Sequence, residues 1–297
     1  MARRSLIMAG GGVKVAFQAG VLQVWLDEAG LTFDHADGAS GGVFNLAMYC
    51  QGMSGKQMAD NWRRFRPLAS VSVNWSEIVK VFMAQSILTY EGFRTKVLRS
   101  LWGLDWNAIR ATTKEATFNL YDFSTQETVV LSADRMDEDR LVSAVSLPMW
   151  FPAVKIDGHD YIDAVYATDA NLDEAIRRGA DELWIIWTVS ERGRWKSGFV
   201  AEYFQIIEAS ANSSLRDPLR RIEENNAAVA EGEPGAYGRH IEVKMLRAEV
   251  PIHYLFNFTK RRMSRGVDLG VQVARRWCAE QGIALTGSEA VGSGVTP

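Results

Sequence analysis

A serine flanked by glycines near the N-terminus constrains the fold of this chain more than any other feature. The run Asp37-Gly38-Ala39-Ser40-Gly41-Gly42 contains the pattern Gly-x-Ser-x-Gly. This pattern is typical of a sharp strand-to-helix turn that presents a serine nucleophile, because glycines let the backbone take angles that other residues avoid. The flanks agree: residues 31–37 favour a strand, and residues 43–49 have the apolar spacing of a helix. Taken alone, the pattern also fits a plain turn between a strand and a helix.

A glycine cluster, Gly10-Gly11-Gly12, lies upstream of the serine. It separates an apolar run typical of a buried parallel strand, Ser5–Ala9, from an amphipathic helix predicted over Val15–Ala29. Backbone N–H groups at a helix N-terminus attract anions, so such groups can hold the oxyanion of an acyl transfer. The predicted donors are the N–H groups of Gly10, Gly11, Gly12 and Gly41. A nucleotide phosphate loop fits poorly, because no Gly-Lys-Ser/Thr ending is present and Val15 stands where a dinucleotide fingerprint has its third glycine.

Alternating strand and helix patterns predict an α/β protein with a mainly parallel central sheet flanked by helices. The strand-like runs are Ser5–Ala9, Phe33–Asp37, Ala116–Phe123, Glu127–Ser132, Leu183–Val189 and His240–Leu246. The third and fourth of these runs are predicted to form a hairpin. We expect a single domain over residues 1–287, with a helical insertion at about 54–112, followed by a flexible tail over 288–297.

Composition narrows the class of protein. The 297 residues carry a formal net charge of −3, which favours a globular enzyme and argues against a generally basic nucleic-acid binder. The two cysteines, Cys50 and Cys278, lie in apolar surroundings and are predicted to be reduced. We predict neither a secretory signal nor a transmembrane segment, since no apolar stretch reaches the roughly 18 residues that a spanning helix needs. A cytoplasmic location, with peripheral membrane association as an option, is the resulting expectation.

Several sequence blocks, in order, resemble the patatin-like phospholipase family. They are Gly10–Lys14, Gln18–Leu22, Gly38–Gly42, Ser143–Val154, Tyr161–Asp163, Asn171 and Gly179–Asp181. The resemblance covers residues from about 5 to 190 and implies a three-layer α/β/α fold. It also implies a serine lipid acyl hydrolase of the phospholipase A or lysophospholipase kind, for which no metal or cofactor is expected. In that family an aspartate, here Asp163, takes the proton from the serine, here Ser40.

The chain departs from the family pattern beside both reactive groups. Val15 stands where the family usually has glycine, and Ala164-Val165 follow the aspartate where the family usually keeps Asp-Gly-Gly or Asp-Gly-Ala. A positive φ would be costly for Ala164 or Val165. One alternative is therefore a catalytically impaired protein that binds acyl chains or lipids. Another is an esterase or thioesterase that acts on soluble acyl substrates.

The base that activates the serine has a second candidate among the four histidines, His35, His159, His240 and His253. His253 suits a conventional triad best, because it comes late in the chain, as the order of α/β-hydrolases requires. His35 and His240 are predicted to be structural, and His159 to be exposed in a turn. The residues leave dyad and triad open, and the resemblance favours the dyad of Ser40 and Asp163.

The remaining candidates concern charge and substrate. Lys14 is either a surface lysine at a helix start or an electrostatic partner of the oxyanion or of a phosphate. The apolar stretch 78–88 fits an acyl groove or a membrane surface, and also plain core. Aromatic and basic residues over 253–262 fit anionic headgroups, and equally a buried loop before a solvated helix. The predicted partner is an acyl lipid substrate, and the sequence leaves the oligomeric state open.

Overall fold

The computed structural model describes residues 2–66, 72–78, 80, 86–190, 195–251 and 259–286. These residues form ten strands: β1 Arg4–Met8, β2 His35–Ala39, β3 Ser72–Val73, β4 Leu88–Thr89, β5 Glu115–Asp122, β6 Glu127–Ser132, β7 Val154–Ile156, β8 His159–Asp163, β9 Glu182–Trp187 and β10 Glu242–Arg247. The α-helices are α1 Ala16–Leu22, α2 Gly42–Cys50, α3 Gly55–Arg64, α4 Trp75–Ile78, α5 Glu91–Phe93, α6 Trp106–Arg110, α7 Glu138–Ser143, α8 Leu172–Arg177, α9 Phe199–Ala230 and α10 Lys260–Glu280. Short 3₁₀ turns lie at Gly12–Val15, Ala133–Arg135 and Ala164–Tyr166, and wider π-type turns extend two helices over Gln23–Glu28 and Arg94–Leu101.

The central sheet has the strand order β10-β9-β1-β2-β5-β8-β7, and β6 also pairs with β5. The strands β10, β9, β1, β2 and β5 are parallel to one another, whereas β6 and β8 run antiparallel to β5. Helices flank the sheet. The predicted α/β class and the α/β/α arrangement are therefore confirmed.

The most apolar of the predicted strands are deeply buried, whereas the predicted β6 and β10 are only partly buried. Leu6, Ile7 and Met8 of β1 are fully buried, as are Leu183, Ile185 and Ile186 of β9. Parallel strands covered on both faces need such continuous apolar runs, which makes them visible in the sequence. The hairpin of β5 and β6 is also confirmed. The strands β7 and β8 were missed, because they are short, partly polar and joined by a tight turn at Asp157-Gly158.

The predicted helical insertion contains helices α3 to α6, and α3 begins with a capping box between Ser54 and Gln57. It also contains one element that was not expected, an antiparallel pair of two-residue strands, β3 and β4. Strands this short leave no periodic pattern in a sequence. Residues 79 and 81–85 of the apolar stretch, residues 253–258 of the aromatic and basic segment, and the tail 288–297 lie outside the described residues.

Two expectations about side chains and helices can be compared with the structure. Cys50 and Cys278 are buried and unpaired with each other, as predicted. Among the described helices, none combines the length and the apolar character that crossing a membrane requires.

Candidate active site

Parallel strands bring the glycine cluster and the serine to the same edge of the sheet. Met8, at the end of β1, pairs with Gly38 of β2 on one side and with Ile186 of β9 on the other. The chain leaves all three strands at their carboxyl ends, where α/β proteins place their binding sites. The glycine cluster follows β1, Ser40 follows β2 and Thr188 follows β9, so these three segments are neighbours.

Ser40 lies on the sharp turn that the sequence predicts. Its φ of 47° is in the left-handed region, which few residues other than glycine adopt. The turn joins β2 directly to α2, and the serine is 5% exposed. Next to it, a β-carbon on Gly41 would overlap the carbonyl oxygen of Gly12, so the two loops meet backbone to backbone. Strained backbone of this kind is concentrated at reactive sites.

Asp163 ends β8 and reaches the serine from another part of the sheet. The Oγ of Ser40 donates a hydrogen bond of 2.8 Å to Oδ2 of Asp163. The other carboxylate oxygen, Oδ1, accepts a 2.9 Å hydrogen bond from the backbone N–H of Val165. Asp163 is 1% exposed, and burial raises its pKa to about 7, although both hydrogen bonds act in the opposite direction. Such a carboxyl changes its protonation state near neutral pH.

The described histidines do not contact Ser40. His35 is buried on β2 between the hydroxyls of Ser5 and Thr117, at 2.7 and 2.8 Å, and burial lowers its pKa to about 4. This fits the structural role predicted for it. His159 is only half exposed and bonds to Asp122, so its predicted free exposure is wrong in part. His240 is exposed just before β10, not packed as a structural residue would be. His253 lies outside the described residues.

Three of the four predicted oxyanion donors keep their N–H groups available. Within the described residues, the amides of Gly11, Gly12 and Gly41 donate to no acceptor. The prediction for Gly10 is wrong, because its N–H donates a 3.0 Å hydrogen bond to the backbone carbonyl of Asp169. Thr188 Oγ1 holds the loop from the other side by donating to the carbonyl of Gly10 at 3.1 Å.

The backbone at Gly11 requires a glycine. Its φ is 145°, a conformation that side chains disfavour, and a β-carbon there would overlap Oγ1 of Thr188. The loop therefore depends on Gly11 both for its backbone angle and for its close packing on β9.

Lys14 is buried, so the interpretation as a surface lysine is wrong. The 3₁₀ turn Gly12–Val15 carries its side chain inward, to 5% exposure. Its Nζ lies 3.8 Å from Oε1 of Glu208 on α9. Burial lowers the pKa of Lys14, whereas Glu208 and Glu249 act to raise it. Lys14 is thus a buried lysine two positions after the glycine cluster, with Glu208 as a partner.

The two side chains that replace the family's glycines after Asp163 cause no backbone strain. Ala164 and Val165 begin the 3₁₀ turn Ala164–Tyr166, and neither is among the residues with positive φ. Because that turn needs only ordinary right-handed angles, alanine and valine fit it. The backbone N–H of Val165 even supports the Asp163 carboxylate.

An apolar pocket of about 110 Å³ is lined by Ser40 and Asp163. Its polar wall includes Gly11, Gly12, Gly41 and Asp169. Glu208 also contributes to the wall. The rest of the wall is mainly apolar: Val13, Phe44, Phe65, Tyr90, Phe93, Val145, Leu147, Phe151, Val165, Val189, Phe204, Ile207 and Ala211. A few convergent polar groups in a mostly apolar pocket suit a ligand with one reactive polar group and a long apolar part.

Sequence reasoning missed three residues of this site. Asp169 lies in the cavity wall six positions after Asp163, between two of the blocks that carry the family resemblance, and nothing in the sequence pattern distinguished it from a loop residue. Thr188 and Glu208 are far along the chain from the glycine cluster, in segments without a motif. Only the tertiary contacts bring them to the site.

Comparisons with known proteins found one family model and similar solved structures. The family model described as patatin-like phospholipase matches residues 6–176. Among solved structures, VipD from Legionella pneumophila is similar, with 12% sequence identity, a TM-score of 0.47, and coverage of 94% of this chain and 67% of that chain. No curated protein sequence matches the chain.

Proposed function

This chain belongs to the patatin-like phospholipase family and is a hydrolase of carboxylic ester bonds, and we propose that it cleaves acyl lipids with a dyad of Ser40 and Asp163. The observation that carries the proposal is the 2.8 Å hydrogen bond from Ser40 Oγ to Asp163 Oδ2. It supplies what a serine nucleophile needs, a base within hydrogen-bond reach of its proton.

In the proposed reaction, Ser40 Oγ attacks the ester carbonyl carbon while Asp163 Oδ2 takes the hydroxyl proton. The negative charge that develops on the carbonyl oxygen is held by the N–H groups of Gly11, Gly12 and Gly41. The carbon–oxygen ester bond then breaks, Asp163 returns the proton to the departing alcohol, and the acyl group stays on Ser40. Water, deprotonated by Asp163, hydrolyses this acyl-enzyme, and the proton goes back to Ser40.

The environment of Asp163 suits both halves of this cycle. A base is most effective when its pKa is near the working pH, because it must accept a proton in one step and release it in the next. Burial brings the pKa of Asp163 to about 7, and the hydrogen bond from Val165 keeps the carboxylate oriented.

The apolar wall of the cavity supports an acyl chain as the part of the substrate that enters it. Burying each methylene of such a chain is worth about 0.8 kcal/mol. A lipid is therefore favoured over a short ester, which leaves most of this wall unused. The second candidate, an esterase for soluble acyl substrates, has the same chemistry and differs only in how much of the wall its substrate covers.

Three exposed apolar side chains support binding at a lipid surface, and one of them, Phe199, is connected to the cavity wall. Trp75 and Phe199 are 71% and 59% exposed. The Phe199 ring lies 6.4 Å from Trp150, whose ring lies 5.9 Å from the cavity residue Phe204. Met149, also exposed, precedes Trp150 and accepts a backbone hydrogen bond from Ile87 in the insertion. We propose that Trp75, Met149 and Phe199 meet the membrane, since amphipathic and apolar side chains enter the interface readily.

The dyad is tested by labelling with a fluorophosphonate probe, which reacts only with an activated serine. The wild-type protein should be labelled, and Ser40→Ala should lose both labelling and ester hydrolysis. Ser100→Ala, a change at an exposed serine, is the matched control and should behave as wild type. Labelling that survives in Ser40→Ala would assign the nucleophile to another residue.

The substrate class is tested separately. Phospholipid vesicles and a panel of short soluble esters should be offered to the same preparation, and we expect higher kcat/KM on the vesicles. Trp75→Ala with Phe199→Ala should weaken vesicle binding and leave soluble-ester turnover unchanged. Phe123→Ala, at an exposed phenylalanine in the β5–β6 turn, is the control. Equal turnover of vesicles and short esters would favour the soluble-ester candidate.

A further inference from the structure

Asp169 is a buried carboxyl that the proposed dyad does not use. It lies between β8 and α8, is 1% exposed, and lines the same cavity as Ser40 and Asp163. Its backbone carbonyl accepts the hydrogen bond from the Gly10 N–H described above. A β-carbon on Gly10 would overlap both the Asp169 carboxyl and Ser40 Cβ. The carboxyl and the serine therefore lie on the same side of the Gly10 α-carbon.

Neither side-chain oxygen of Asp169 has a hydrogen-bond partner in the described part of the chain. Asp37, which is equally buried, shows the usual arrangement, since its carboxylate accepts hydrogen bonds from Thr117 at 2.6 Å and Asn119 at 2.9 Å. Buried polar groups are nearly always paired, and an exception points to a role or to a missing partner. The orientation toward the cavity makes a bound substrate that partner.

The state of this carboxyl follows from its surroundings. An ionised carboxylate without any donor in a buried site costs several kcal/mol, so the group keeps its proton instead. A protonated carboxyl has an O–H to donate. Because the N–H of Gly10 already donates to the carbonyl of Asp169, the glycine cluster has one N–H donor fewer for a substrate than the sequence predicts.

We propose that Asp169 is a further catalytic residue, whose protonated carboxyl donates a hydrogen bond to the substrate's carbonyl oxygen beside the glycine cluster. It supplements the N–H groups of Gly11 and Gly12 and occupies the place that Gly10 cannot fill. This inference rests on the proposed function, because it needs an ester attacked by Ser40. Under this proposal the two carboxyls of the cavity have different tasks: Asp163 is the base, and Asp169 is a neutral hydrogen-bond donor.

The electrostatics of the site agree with this division. Among the charged groups of the site, Asp163 at the end of β8 is the one that acts on the pKa of Asp169. Glu208 lines the same cavity and is paired with Lys14, which follows the glycine loop. The Ser40 turn and Thr188 contribute neutral groups. Burial, and then the negative charge of Asp163, raise the pKa of Asp169 well above its usual range. Two nearby carboxyls cannot both ionise easily, so the one that receives hydrogen bonds, Asp163, is the one that becomes charged.

The test compares Asp169→Asn with Asp169→Ala. Asparagine keeps the size and a neutral donor, so its kcat on a soluble ester should stay within about threefold of wild type. Alanine removes the donor, and kcat should fall by about 10²-fold, the scale of one lost oxyanion donor, with little change in KM. A purely structural aspartate predicts instead that the two variants differ in stability and not in kcat. Equal losses in both variants would show that the charge itself is needed and would overturn the proposal, as would an Asp169→Ala protein with normal kcat.

A second measurement does not depend on turnover and stays informative if the alanine variant fails to fold. Near neutral pH, the infrared spectrum of the wild-type protein minus that of Asp169→Asn should show a carboxylic-acid C=O band, because only the aspartate has that group to lose. If this difference band is absent, Asp169 is ionised and the proposal is wrong. If the band exists but Ser40 is not labelled by fluorophosphonate, the proposed function fails and the protonation of Asp169 does not.

Discussion

Ser40 and Asp163 are 123 positions apart in the chain, and their side chains share a 2.8 Å hydrogen bond. The serine is held by the turn between β2 and α2, and the aspartate by the end of β8, next to the 3₁₀ turn Ala164–Tyr166. Both residues are buried, and both line the apolar cavity. The contact therefore joins a serine in a strained turn to a buried carboxyl in the wall of the apolar cavity, which is the geometry that the proposed dyad requires.

Asp163→Asn is expected to lower kcat by at least about 10²-fold. The amide has nearly the same size and can still accept the hydrogen bond from Val165, but it cannot take the proton of Ser40. Hydrolysis of a soluble ester by protein whose circular dichroism is unchanged gives the measurement. The same assay on His159→Ala, His240→Ala and His253→Ala separates dyad from triad. A folded histidine variant without activity, beside an active Asp163→Asn, would replace the dyad with a Ser–His mechanism.

The rate should fall on acidification through about pH 7. Only the ionised Asp163 acts as a base, and burial raises its pKa to about 7, so the carboxyl becomes protonated and inactive below that pH. An ordinary aspartate would keep its activity down to about pH 4. The measurement is kcat/KM between about pH 5 and pH 9.

Temperature distinguishes the titration of Asp163 from that of a histidine as the cause of this fall in rate at low pH, which we call the acid limb of the pH profile. Carboxyl ionisation has a small enthalpy and imidazole ionisation a large one, so the limb should hardly move between a cold and a warm assay. The buried His35 is no competitor, because its pKa is lowered to about 4. A limb that shifts strongly with temperature would contradict the assignment to Asp163.

Gly11→Ala should cost about 10²-fold in kcat. The new β-carbon would meet Thr188 Oγ1 and disturb the loop that lines the cavity beside Ser40. Gly30→Ala is the matched control: Gly30 also has a positive φ, 62°, but nothing lies within 4 Å of the added carbon. Both variants carry backbone strain, and only Gly11→Ala should lose turnover. Similar kcat values for the two variants would mean that the glycine cluster is only a structural turn and does not take part in turnover.

The Lys14–Glu208 pair should show strong coupling in a double-mutant cycle. Removing one partner weakens the compensation of a charge in a largely buried site, so Lys14→Met and Glu208→Gln should each destabilise the protein by about 1–3 kcal/mol. The double variant should be more stable than the sum of the single changes predicts. Urea unfolding gives the three free energies. Additive effects would mean that the 3.8 Å contact contributes no coupling, and that other neighbours hold each charge.

Several features of the site follow from short stretches of sequence. The apolar run of β1, the glycine cluster and the Gly-x-Ser-x-Gly run each specify a local conformation, because buried strands and left-handed turns demand particular residue types. Ser40 with its φ of 47° and Gly11 with its φ of 145° are the clearest cases. The order of the motifs likewise indicated the family and, with it, the α/β/α fold. The pairing of Ser40 with Asp163 came from that resemblance and not from the residues themselves.

Tertiary structure alone decided the chemical environment of these groups. Lys14 has the sequence context of a surface lysine, yet the fold places α9 and Glu208 against it. Gly10 belongs to the same cluster as Gly11, yet its N–H is occupied by the carbonyl of Asp169. Burial, hydrogen-bond partners and pKa depend on segments far along the chain that arrive only when the sheet is assembled. Local sequence sets backbone angles, because those depend on neighbouring residues. It cannot set desolvation, because that is a property of everything packed around a group.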